Sequence, residues 1–133
     1  MANRYYSSTM TSRTLGGNLS AGETTSNMLI SSTSGVPSFP FTLVIEPDTA
    51  SEEIVTVTGL GTGTAFTVTR AQEGTSASSH PSGATVRHMI TARDLQDAQD
   101  HISATTAHGV SGAVVGTTST QTLTNKAING STN

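Results

Sequence analysis

Cysteine and tryptophan are both absent from the 133 residues, and only 4% of the chain is aromatic. Without cysteine there is no disulfide, no thiolate chemistry and none of the cysteine-based zinc spacings. So few rings provide no ladder for stacking single-stranded nucleic acid and few platforms for sugars. Charge is scarce as well: 11% of residues are charged, and the six basic ones are scattered through a chain of formal net charge -3. That leaves no basic patch to neutralise phosphates, so nucleic-acid binding is excluded as a function class. No apolar run is long enough to span a bilayer, and the opening MANRYYSSTM lacks the apolar segment of a signal peptide. No membrane insertion is expected, and the product is expected in the cytosol when made.

Hydrophobic residues make up 33% of the chain, against roughly 45–50% (glycine included) in ordinary globular domains, so the core must be thin. In their place Ser and Thr supply about a third of all residues. Threonine favours pleated, half-buried strands and serine favours turns, which predicts a mainly β fold. Residues 1–13 are polar, carry Tyr5 and Tyr6 as their only bulk, and read as an arm that orders against a partner. Removing 1–12 should therefore spare the fold and weaken assembly.

From 14 to 90 the pattern predicts one antiparallel β domain, a small sandwich or barrel. FTLVIE alternates Phe41, Leu43 and Ile45 with Thr42, Val44 and Glu46, the period of a half-buried strand. EEIVTVTG and AFTVTR follow as two further strands of a meander, joined by a hairpin turn at GLGTGT. That turn superficially resembles a phosphate loop around Gly61, but it joins two strands and lacks the following Lys-Ser/Thr. GATVRHMI is the last strand.

Residues 91–108 predict a short helix, with Thr91 as N-cap and Asp94 three residues later as its capping-box partner. Its apolar positions Leu95, Ala98 and Ile102 form one narrow seam, the stripe of a short coiled coil rather than the broad face of a core helix. Residues 109–133 hold almost no large side chain, cannot bury enough surface to fold alone, and are expected to be an extended Thr/Gly-rich segment leading into a longer fibre.

The candidate chemical groups are few. His80 and His88 have no recognisable nucleophile or orienting acid, which favours structural hydrogen bonding over catalysis. His101 and His108 lie seven apart, too far for an ordinary zinc spacing. Glu52 and Glu53 are adjacent on a strand, so they face opposite ways and are read as solvated edge charge. Arg70 and Glu73 are expected to pair locally across the long loop that follows Val68. No cofactor, metal or catalytic group is expected.

Three stretches together resemble the N-terminal region of tailed-bacteriophage minor tail proteins and tail fibres. They are FTLVIEPDTASEEIVTVTG, then VTRAQEGTSASSHPSGATV, then HGVSGAVVGTTSTQTLTNKAING, and they cover about two-thirds of the chain. In the second, Arg70, Gly74, Thr75, His80, Gly83 and Val86 match a recurring pattern; position 71 departs from it, holding Ala where Gly is frequent. The resemblance implies a structural virion protein and not an enzyme. It would be a homotrimer, assembled in the host cytoplasm, that docks to other tail or baseplate proteins and projects a fibre toward a host-surface receptor. The alternatives are the attachment domain of a polysaccharide-degrading tailspike and a free carbohydrate-binding module.

Overall fold

The computed structural model describes residues 4–23 and 26–104. The chain divides into two units, Met1–Leu95 and Gln96–Asn133; the expected fibre segment 109–133 lies outside the described residues.

Six strands form a single antiparallel sheet: β1 Arg13–Thr14, β2 Ser26–Leu29, β3 Phe41–Ile45, β4 Glu53–Leu60, β5 Ala65–Gln72 and β6 Thr85–Arg87, in the order β1-β6-β3-β4-β5-β2. The central meander β3-β4-β5 is the one the alternating pattern predicts, with Phe41 opposite Val57 and Val57 opposite Val68. GLGTGT is the expected hairpin turn, closed by Gly61 N–H donating to Ala65 O, with Gly63 at a positive φ of 68°. The sandwich alternative drops out, since all six strands share one sheet. That sheet curls until its two edges touch beyond β1 and β2, where Leu15 and Ile30 form a bridge, Gly16 N–H donates to Leu29 O, and Ser31 N–H donates to Thr14 O. The edges thereby cap each other at that point, removing part of the pairing surface that an open sheet exposes.

Phe41, Leu43, Ile45, Val55, Val57, Phe66 and Val86 are fully buried inside the curl, joined by Leu15, Leu19, Met28 and Ile30 from the closing segments. β3 is not half-buried as its alternation suggested: all five residues are buried, including Thr42 and Val44. It has a paired strand on each side, and the arm also runs beside its start. Tyr5 N–H donates to Pro40 O, Ser7 N–H donates to His88 Nε2, and His88 Nδ1–H in turn reaches Thr42 O at 2.9 Å.

The arm itself departs from expectation. It folds back on its own chain, with Ser7 Oγ–H donating to Gly35 O at 2.6 Å and Met10 buried in the core. Deleting residues 1–12 should therefore not spare the fold. It removes a core methionine, a loss of about 2–5 kcal/mol when only the side chain is truncated. Urea unfolding of the truncated chain should show a clearly lower midpoint, and an unchanged midpoint would mean that the arm's contacts add nothing.

Candidate functional site

The pattern residues of the second resembling stretch meet at one end of the curl, around a buried charge cluster. Arg70 faces inward from β5 because it shares the phase of Phe66 and Val68. Glu53 opens β4 in the phase of Val55 and Val57, and its side chain is completely buried. The two form a bidentate pair, Arg70 Nε–H to Glu53 Oε1 at 2.9 Å and Nη2–H to Oε2 at 2.6 Å. The remaining Arg70 donors reach the backbone carbonyls of Ser20, Glu23 and Ser78. One guanidinium thus ties β4, β5, the loop after β5 and the segment between β1 and β2, and the planar fork of arginine suits this better than a lysine ammonium could.

His80 completes the cluster. Its Nδ1 lies 2.6 Å from Glu46 Oε2 and its Nε2 lies 2.9 Å from Glu53 Oε2, with the ring wholly buried. Glu53, Arg70 and His80 are buried together, while Glu46 joins them from a partly exposed position; gathering opposite charges with full hydrogen bonding is how a low-dielectric interior tolerates ionised groups. Burial pushes the Glu53 carboxyl up, but hydrogen bonds from Arg70, His80 and the N–H groups of Ser78 and Ala71 outweigh it and hold it below the ordinary carboxylate range. The backbone of His80 is fixed too, exchanging both its hydrogen bonds with Leu19.

The other pattern residues shape the loop around this cluster. Gly74 and Gly83 sit at φ 85° and 87°, and a Cβ at either would meet nothing within 4 Å, so backbone conformation and not space calls for glycine. Thr75 Oγ1 accepts from Ile54 N–H and donates to Gln72 O, stitching the loop to β4. Val86 is buried in β6 opposite Ile45. Ala71 adopts φ 54°, a left-handed conformation that costs an L-residue roughly 1–2 kcal/mol; glycine at that position in the resembling pattern has a physical reason. Ala71→Gly should therefore stabilise the domain by about 0.5–1 kcal/mol, the strain relieved less the extra chain entropy of glycine. A lower urea midpoint in the variant would refute this account of the position.

Two expectations are corrected here. Glu53 is not edge charge, because β4 lies between β3 and β5 and places it inside. Arg70 does not pair with Glu73, because it points into the curl while Glu73 turns away at φ 55° to meet the arm.

That second meeting point fixes the start of the helix α1, Ala92–Ser103. Thr91 N–H donates to Asp94 Oδ2 at 2.8 Å, the carboxylate half of the expected capping box. The Thr91 hydroxyl does not close the other half; it donates to Glu73 Oε1 and Asp94 Oδ2. Arg4 Nη1 bridges Glu73 at 3.1 Å and Asp94 at 3.0 Å, and Tyr6 O–H donates to Asp94 Oδ1. Burial pushes Asp94 up, while bonds from Thr91 and Tyr6 and the nearby Arg4 charge bring it below its usual range. Beyond this cap, α1 has no buried residue: Leu95 is 65% exposed, Ile102 83%, and Ala98 is exposed as well.

Both ring nitrogens of His80 are engaged by carboxylates, and His88 bridges two backbone groups, so neither offers a free base beside a nucleophile. Among the described residues no three His, Cys, Asp or Glu side chains gather as metal ligands; His108 lies outside the described residues. The chain was compared with protein-family models, curated proteins and solved structures, and none matches it.

Sequence reasoning missed Glu46 and Glu53 as partners of Arg70 and His80, as well as the group formed by Arg4, Tyr6, Glu73 and Asp94. One signal was available: Glu53, Val55 and Val57 alternate, so an inward strand phase begins on a carboxylate.

Proposed function

We propose that the chain is a structural virion protein, the tail-docking N-terminal part of a phage tail fibre or minor tail protein. It works as a homotrimer whose β domain engages the tail tip or baseplate and whose helix begins the projecting stem. The observation that carries this reading is α1: its first turn is capped and tied, yet its apolar residues Leu95, Ala98 and Ile102 are all exposed. A helix of 12 residues is marginal in water on its own. Pairing with copies of itself supplies the cover that the narrow seam calls for. The ionic cluster fits the same role, since a docking domain transmits load and gains from a rigid corner that joins separate strands.

The test is quantitative mass spectrometry of purified phage particles from the source of the gene. The reading expects the chain in the tail at a multiple of three copies per particle. Its absence from intact particles would overturn it. Glycan hydrolysis by the gene's full product would replace the fibre with a tailspike.

A further inference from the structure

On the outward side of the sheet, a groove of about 190 Å3 is lined by Arg4, Pro40, Thr56, Thr69, Gln72 and Arg93. Thr56 and Thr69 are register partners on β4 and β5, each alternating with inward valines, so they share this face. No carboxylate lines the groove. Two arginines border it, and they are incompletely used. The Arg4 side chain is only 9% exposed, yet its sole bonds among the described residues run from Nη1 to Glu73 and Asp94. That leaves its Nε and Nη2 donors without a protein partner among the described residues, and neither nitrogen is fully buried, so both remain accessible. Arg93 donates from its backbone to Glu73, but its guanidinium has no partner among the described residues.

We propose that this groove binds one carboxylate, held between the open donors of Arg4 and the guanidinium of Arg93, with the Thr56 and Thr69 hydroxyls as further donors. Arg4 is already paired with Glu73 and Asp94, so the unpaired cation at the groove is Arg93, and the planar N–H fork of each arginine matches the two oxygens of a carboxylate. The volume sets the size of the ligand. Drug-sized molecules and sugars occupy pockets of roughly 300–1,000 Å3, so this groove takes a single acidic head group. The source is either a free small carboxylate or a Glu or Asp side chain of a docking protein. The proposal does not depend on the attachment reading, since it rests on the groove alone.

The full chain, labelled with nitrogen-15, is titrated at constant ionic strength with sodium acetate, with N-acetyl-glutamate amide, and with N-acetyl-glutamine amide as the neutral control. The expected result is a saturable shift of the Arg4 and Arg93 Nε–H signals and the Thr56 and Thr69 amides in the millimolar range for the two carboxylates. Little or no shift is expected for the glutamine compound. Arg93→Gln should weaken binding about tenfold, the loss of one charge-assisted pair, without moving the melting temperature, because that side chain is exposed and makes no hydrogen bond or ion pair among the described residues. Arg93→Lys should recover part of the affinity. Equal affinity for acetate and the glutamate compound assigns the site to a free carboxylate; tighter binding of the glutamate compound assigns it to an acidic side chain. No saturable shift up to about 100 mM, an unchanged response in Arg93→Gln, or the same shifts with the glutamine compound would each overturn the proposal.

Discussion

Replacing Arg70 with Leu is expected to cost the β domain about 3–5 kcal/mol, because it leaves the Glu53 carboxylate buried without its guanidinium. Glu53 is wholly buried and Arg70 nearly so, at the corner where β4, β5 and the His80 loop meet. Domains of this kind have only about 5–15 kcal/mol in reserve, so the variant should sit close to unfolding at room temperature. Removing both partners, as Arg70→Leu with Glu53→Leu, should be less damaging than Arg70→Leu alone, since no unpaired charge remains on the pair. Urea unfolding of the three variants checks this. A double variant as unstable as the sum of its parts would mean that the pair is not coupled.

Both ionic clusters contribute to the acid limb of stability. Glu53 and Asp94 are both held below their ordinary range when folded. Each therefore contributes stability that is fully present above the ordinary carboxylate value of about 4 and is lost as pH falls through the lower, folded value. In Arg70→Leu the largest of the bonds that lower Glu53 is gone, so the acid loss should begin at a higher pH than in the parent chain. An acid limb at the same pH in both proteins would refute the assigned cause.

The second large effect concerns assembly. Changing Leu95 and Ile102 together to Asp is expected to turn a trimer into a monomer while leaving the β domain folded. Both side chains are mostly exposed in the single chain; covering them at a threefold axis is worth about 1.5–3 kcal/mol each when burial is complete. Two carboxylates per chain at that axis would instead bring six like charges together. Light scattering gives the mass, and far-ultraviolet circular dichroism reports on the sheet. A trimeric double variant would move the contact away from the seam, and a monomeric parent at working concentration would remove the trimer from the reading.

Local chemistry was legible in the residues themselves. The period-2 alternation of FTLVI, EEIVTVTG and AFTVTR needs only adjacent side chains on a pleated strand, and it predicted the meander. Thr91 and Asp94 announced the start of α1 because the capping partner lies three residues away. The narrow seam of Leu95, Ala98 and Ile102 was equally visible in the spacing.

What depended on distant segments was not legible. Glu53 and Arg70 are 17 residues apart, Glu46 and His80 34, and Arg4 and Asp94 90; no periodicity relates such positions. The register of the meander sets the turn after β3, the start of β4 and the end of β5 side by side, and the tertiary fold brings the His80 loop and the segment around Leu19 onto them. A carboxylate read as solvated charge there becomes the centre of a buried network, because burial is a property of the closed sheet and not of the strand. The arm changed meaning for the same reason: a polar sequence looks free until Met10 has a core to enter. The residues determined which segments extend, turn and coil; the tertiary structure decided which charges lose their water, and so which of them hold the fold together.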